Sequence, residues 1–231
     1  MAEVSMIGLD LAKNTFQAHG ENADGSVAFR KKLRRDKVMA FFASQPRCTV
    51  AMEACASAHF WARSLQELGH EVRLVPPRYV KPFVKRQKND AADAEAIAEA
   101  ASRPTMHFVA VKSEAKQAQG MAFKTRDLMV RQRTQTINAL RGNLAEFGVI
   151  APQGVANVER LRSVVDDPEA TLPAPVVALA QMALEQIDEV TERIDAIERD
   201  IKQLARQQDS SKRVMTIPGV GPICATAVEA F

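Results

Sequence analysis

The chain has 231 residues, 46% of them apolar and 26% charged, which suits a soluble globular protein with one good core plus an appendage, or two domains. A net charge of +3 does not by itself announce nucleic-acid binding, and three scattered cysteines (Cys48, Cys55, Cys224) exclude a disulfide framework or a zinc site. Asp10 and Lys13 interrupt the only apolar start, so neither a signal peptide nor a membrane span is expected; the reading is a cytoplasmic protein.

Val4–Leu9, Thr15–His19 and Val27–Leu33 read as three successive strands, with Glu21–Gly25 (ENADG) as a hairpin turn because Asp-Gly tolerates positive φ. Asp36 is expected to cap a short helix, Lys37–Ala43, that buries Val38, Phe41 and Phe42. Cys48–Met52 is a compact apolar strand ending on Glu53. A helix from about Ala58 to Leu68 is expected to turn Phe60, Trp61, Leu65 and Leu68 inward, stopped by Gly69. Glu71–Val75 is a further strand, halted by Pro76-Pro77. A three-strand meander followed by strands alternating with helices makes an α/β sheet covered by helices.

The segment RYVKPFVKRQK (Arg78–Lys88) and Asn89 precede the acidic helix DAADAEAIAEAA. Asp90 and Asp93 stand at i and i+3, sharing one helix face with Cβ atoms about 5–6 Å apart. Both also lie in the first turn, where the helix dipole favours negative charge, so plain helix capping is the alternative. Asp10 and Glu53 each end an apolar strand, where a carboxylate is poorly hydrated and needs a compensating cation. Four such acids brought together would suit magnesium, which prefers oxygen ligands and accepts carboxylates alongside water and phosphate. Manganese is the alternative ion.

Three blocks are basic: Arg30–Lys37, Arg63–Lys88 and Lys112–Arg141. A charge run is often only a solvated face, but three blocks in a chain of small net charge favour a phosphate-binding surface. The candidates are Arg78, Lys81, Lys85, Arg86, Lys88, Lys124, Arg126, Arg131 and Arg133. Tyr79 and Phe83 interleave with the first five and could stack on bases or anchor the segment. The acids gather elsewhere, on Glu185–Asp200.

Ser113–Phe147 reads as one long helix, and a second runs from about Pro175 to Gln208. In the second, Val176, Ala180, Ala183, Ile187, Val190, Ile194, Ile197, Ile201 and Leu204 alternate by four and three, the pattern of a coiled-coil seam. That seam can pair with the chain's own Ser113–Phe147 helix or between subunits; the second, giving a dimer or tetramer, is the sharper expectation. The histidines have no metal-ligand spacing and read as packing or surface residues, Cys48 and Cys55 as buried thiols, and Trp61 as core.

GLDLAKNTF with Asp10, TVAMEA with Glu53, and KNDAADAEAIA with Asp90 and Asp93 closely resemble the DEDD transposases of bacterial insertion sequences. That resemblance implies an RNase H-like catalytic domain similar to the RuvC Holliday-junction resolvase. It implies Asp10, Glu53, Asp90 and Asp93 as a magnesium-binding catalytic tetrad, with Lys88 and Asn89 in the third motif. Magnesium-dependent DNA strand cleavage and exchange follows, with DNA and a structured bridge RNA as partners. Three divisions are expected: a catalytic domain over 1–112, long helices over 113–209, and from 210 to 231 the opening of a second DNA-handling domain. Met215–Pro222 (MTIPGVGP) resembles the start of the family's helix-hairpin-helix-like segment. None of Ser113, Ser163, Ser210 and Ser211 matches the position of the serine nucleophile proposed for that domain, which reads as a C-terminal truncation.

Two other readings compete. A sugar kinase or actin-like ATPase also begins with a strand-borne Asp, but no second glycine-rich phosphate loop appears here. A non-catalytic, nucleic-acid-binding dimerisation fragment would keep the basic blocks and the helices without the chemistry.

Overall fold

A computed structural model describes residues 4–84 and 90–231, apart from the side chains of residues 90 and 91. The chain divides into two compact units, Met1–Ser113 and Glu114–Phe231.

In the first unit, apolar runs of strand length form β1 (Val4–Asp10), β2 (Thr15–Asn22), β3 (Val27–Arg34), β4 (Thr49–Glu53) and β5 (Glu71–Val75). They make one mixed sheet in the order β3-β2-β1-β4-β5. The β1–β2 and β2–β3 pairs are antiparallel, whereas β1–β4 and β4–β5 are parallel. Gly25, at φ +80°, makes the turn between β2 and β3, and the Asp24 carboxylate accepts from the Ser26 backbone N–H at 2.9 Å. A five-stranded mixed sheet under helices is the α/β, RNase H-like architecture that the motif order implies.

Strand alternation divides the side chains between two cores. On one face Ile7, Leu9, Phe16, Leu33, Val50, Met52 and Leu74 pack with Val38 and Phe42 of α1 (Val38–Ala43) and with Trp61, Ala62 and Leu65 of α2 (Ala58–Glu67). Buried His70 joins this core, its Nε2 3.1 Å from the Phe42 carbonyl oxygen and its Nδ1 3.6 Å from Cys48 Sγ. After β5 comes a single helical turn, α3 (Pro77–Val80). On the other face Ala51, Val75 and Val80 pack with Ala96, Ile97, Ala100 and Ala101 of α4 (Asp90–Ala101). The chain then returns along β5, where the Val109 N–H donates to the Leu74 carbonyl at 2.8 Å.

Three local expectations fail. Asp36 does not cap α1: the preceding residue is Lys37, no side chain caps the helix, and Asp36 lies in a 3₁₀ turn, Arg35–Lys37, paired with Arg34 at 3.2 Å. Phe60 is 52% exposed, because adjacent positions on a helix point about 100° apart and Trp61 takes the inward place. Cys55 is also exposed, since it lies in the turn beyond β4 rather than in the strand.

The second unit is helical: α5 (Glu114–Ala145), α6 (Val158–Val165), α7 (Ala174–Gln207), α8 (Asp209–Val214) and α9 (Pro222–Ala230). Among the described residues no helix is long and apolar enough to cross a membrane. Helices α5 and α7 run antiparallel: Arg126 meets Glu198 at 2.8 Å, and a turn or two further along Arg133 meets Thr191 at 3.3 Å. Ile137, Leu140 and Leu144 of α5 pack with Ala180, Leu184 and Ile187 of α7, closed by Leu161 and Val165 of α6. The seam of α7 is therefore filled by the chain's own helix. Leu184 and Ala205, outside the alternating series, are fully buried while Ile197 and Leu204 are only half-buried, because α7 also packs against α6 and α9 and so buries a wider stripe than a two-helix seam.

Candidate active site

Parallel pairing sets Gly8 beside Ala51 and Leu9 beside Met52, so Asp10 and Glu53 are the next residues on the two central strands. Neighbouring strands lie about 4.8 Å apart, and alternation turns both acids to the face occupied by Gly8, Ala51 and α4. Both are half-buried. A tight turn holds Glu53 in place: the Ala54 N–H donates to Val75 at 2.8 Å, the Cys55 N–H donates to Glu53 at 2.8 Å, and Ser57 adopts φ +71° before α2. The Cys55 thiol reports the local field. Although the residue is exposed overall, surrounding atoms partly desolvate the thiol and raise its pKa, and the carboxylates of Glu53 and Asp10 raise it further.

Helix α4 comes down directly on β1. A Cβ built on Gly8 would stand 2.1 Å from the Ala94 carbonyl oxygen and 2.9 Å from Ala98 Cβ, so only glycine permits this approach. Asp93, half-buried, is the residue before Ala94. Asp90 is the first residue of α4, and its side chain lies outside the described residues. The next turn is tied to the sheet: Arg30 of β3 donates to Glu95 at 2.9 Å and to Nδ1 of buried His19 at 3.4 Å. His19 Nε2 in turn lies 3.2 Å from Glu21.

The structure thus sets Asp10 beside Glu53 and puts Asp93 on the helix that covers the same face. Among the described residues no three His, Cys, Asp or Glu side chains converge closely enough to hold a metal. The donors present are carboxylates, the hard oxygen type that suits magnesium or manganese.

The basic candidates fall into different settings. Arg78 is exposed, with its guanidinium 4.6 Å from the Tyr79 ring centre, and Lys81 is exposed. Lys85, Arg86 and Lys88, with Asn89, lie outside the described residues. In the second unit Lys124 is exposed and Arg131 pairs with Asp127 one turn away. Arg126 and Arg133 are half-buried against α7, so their first role is to join α5 to α7. The sequence reading turns Phe60 inward and counts Arg34 and Arg35 only as part of a basic block; with Trp61 in the core, Phe60 is left 52% exposed beside those arginines.

A mixed sheet whose two adjacent central strands end in carboxylates, covered by an acid-bearing helix, has the architecture of the RNase H-like class. Comparison with known proteins narrows this. Residues 7–148 match a family profile, described as transposase, for the DEDD enzymes typified by IS110. A probable family 20 transposase of Pseudomonas aeruginosa is 46% identical over 98% of this chain and 68% of its own length. The transposase of insertion sequence IS1328 from Yersinia enterocolitica is 42% identical over 98% of this chain and 67% of its own. That of IS1111A from Coxiella burnetii is 34% identical, covering 100% of this chain and 64% of its own. The chain belongs to the IS110-type DEDD transposases, DNA-cleaving enzymes of insertion sequences that work with a divalent metal.

Proposed function

We propose that the carboxylates of Asp10, Glu53, Asp90 and Asp93 form the catalytic site for magnesium-dependent DNA strand cleavage and exchange. The observation that carries this reading is the register of β1 against β4, which makes Asp10 and Glu53 neighbours on one face of the sheet. Two carboxylates so close repel each other, and a divalent cation relieves that repulsion. When bound, the metal supplies charge stabilisation for the attacking and leaving oxygens of an in-line phosphodiester displacement. Asp10 and Glu53 orient the site from rigid strands. Asp90 and Asp93 complete it from α4, whose height over β1 is set by Gly8. Manganese would be held by the same oxygens.

DNA reaches this edge along a basic surface that includes Arg78 and Lys81, and, by the motif resemblance, Lys85, Arg86 and Lys88. Lys124, Arg126, Arg131 and Arg133 extend phosphate binding in the helical unit, with Lys124 the most available. The same resemblance supplies a structured guide RNA as partner, and the three scattered cysteines suit a reducing, cytoplasmic setting. Residues 1–112 form the catalytic domain, and 113–209 the helical arm. Residues 210–231 open a second DNA-handling domain; α8, a turn through Gly219 at φ +85° and α9 fall in this stretch. Assembly into a dimer or tetramer uses the exposed apolar side chains Leu179 and Met182 of α7, because α5 fills the seam itself.

The test is Asp10→Asn in the complete transposase, assayed for magnesium-dependent strand cleavage on DNA carrying the element end. Cleavage at the wild-type rate by a folded variant removes the assignment.

A further inference from the structure

The sheet end that carries Asp10 and Glu53 has a second feature, assigned to no role so far. An open pocket of about 850 Å³ lies there, lined by Asn14, Thr15, Arg34, Arg35, Asp36, Phe60 and Trp61. Its size is that of a small-ligand site. Thr15 starts β2 two residues beyond Gln17, the cross-strand partner of Asp10, so the pocket lies about 7 Å further along the strand direction.

Its chemistry is specific. Phe60 is 52% exposed and stands edge-on to Trp61 with ring centres 5.3 Å apart, so the Phe60 ring is available for stacking. Arg35 is spread over Trp61 and Phe16, 5.2 and 5.6 Å from their ring centres, and donates to the Lys13 carbonyl at 3.4 Å. Among the described residues Arg34 pairs with Asp36, at 80% and 54% side-chain exposure, an exposed pair that an arriving phosphate displaces at small cost. Trp61 itself is 4% exposed, and its indole Nε1–H has no acceptor among the described residues. A buried donor without an acceptor is rare in folded proteins and marks a position where a ligand or water completes the bond.

We propose that this pocket binds one unpaired nucleotide of the nucleic-acid substrate, its base stacked on Phe60 and its phosphate held by Arg34 and Arg35. An exposed aromatic ring beside two guanidinium groups is the combination that holds single strands, because every base offers a face for stacking. A paired base inside a duplex offers none, so the site selects a strand that has been opened. The proposal rests on the transposase reading only for its substrate class. The pocket shares the end of the sheet with Asp10 and Glu53, but Trp61 of its aromatic wall belongs to the face opposite theirs, so a strand bound here passes around the sheet end.

The experiment is fluorescence anisotropy with the full chain in EDTA, using short labelled single strands of DNA and of RNA with one sequence, and the DNA duplex. Phe60→Ala is expected to weaken single-strand binding by about 5- to 100-fold, the range of a lost base stack, and Phe60→Trp to restore it. Arg34→Ala is expected to reduce the slope of log affinity against log salt by about one phosphate contact. Loss confined to the DNA arm assigns the pocket to the DNA strand, and loss confined to the RNA arm assigns it to a guide; either outcome supports the site. Single-strand affinities unchanged by both substitutions, or Phe60→Ala weakening the duplex as strongly as the single strands, overturn it. Because EDTA removes catalysis from the measurement, failure of the Asp10→Asn cleavage test leaves this result standing.

Discussion

Gly8 of β1 lies so close beneath Ala94 of α4 that the added carbon of an alanine would stand 2.1 Å from the Ala94 carbonyl oxygen. The obstacle is helix backbone, which cannot swing aside like a side-chain tip. Gly8→Ala must therefore lift α4, and Asp90 and Asp93 move with it. The expected cost is about 1–3 kcal/mol of stability, as for other overpacked cores, together with a drop in DNA cleavage. Urea denaturation beside a cleavage assay checks both; an unchanged midpoint and rate would mean that the helix is not held this close.

Asp10 and Glu53 should respond alike. Asp10→Asn or Glu53→Gln is expected to lower magnesium-dependent cleavage by at least about 100-fold, since several kcal/mol of charge stabilisation depend on the metal. Each should leave metal-free stability equal or slightly higher, because one of two repelling charges is gone. Calorimetry with magnesium and thermal melts in EDTA separate these effects. Wild-type metal affinity in both variants would refute the ligand assignment.

Arg126 and Glu198 give a pH signature for the helical unit. The hydrogen bond from Arg126, with a smaller one from Lys202, holds the Glu198 carboxyl below its usual value. A lowered folded-state pKa stabilises the fold above the unfolded value, about 4.5, and the contribution disappears as pH falls through the folded value. Arg126→Ala is expected to cost about 1 kcal/mol at neutral pH, given the partial exposure of the pair, and correspondingly less in acid. Denaturation of wild type and variant at pH 7 and well below pH 4 should show the two curves converging.

For the first unit's basic surface, Arg78→Glu with Lys81→Glu is expected to weaken nucleic-acid binding and flatten its salt dependence by about two phosphate contacts. Both side chains are exposed, so the fold should not change. Anisotropy over a salt series is the measurement, and an unaltered slope would move the phosphate-binding face elsewhere.

Strand positions were readable because each apolar run is bounded by a turn or by prolines: β5 has the limits the sequence suggests, and β4 differs only in beginning at Thr49 instead of Cys48. The side chains at the ends of elements were not. Asp36 has the composition of a cap, yet Arg34 draws it into an exposed pair, and nothing local reveals that competition. The adjacency of Asp10 and Glu53 depends on parallel pairing between strands separated by the whole β2–β3 hairpin and α1, a long-range contact that no local periodicity encodes. The three acidic motifs could be named from their residues, but not the glycine that seats α4 above them. The partner of α7 was equally open, because an alternating seam fits a helix of the same chain as well as one from another subunit.

Strand β3 closes one side of the sheet, and Arg30, Lys31, Lys32 and Arg34 along it are all exposed. A border strand normally invites another chain to add to it, and a row of like charges makes that addition repulsive. The same row attracts polyanions. One short strand therefore disfavours sheet-to-sheet joining of copies of the protein while leaving that border attractive to nucleic acid.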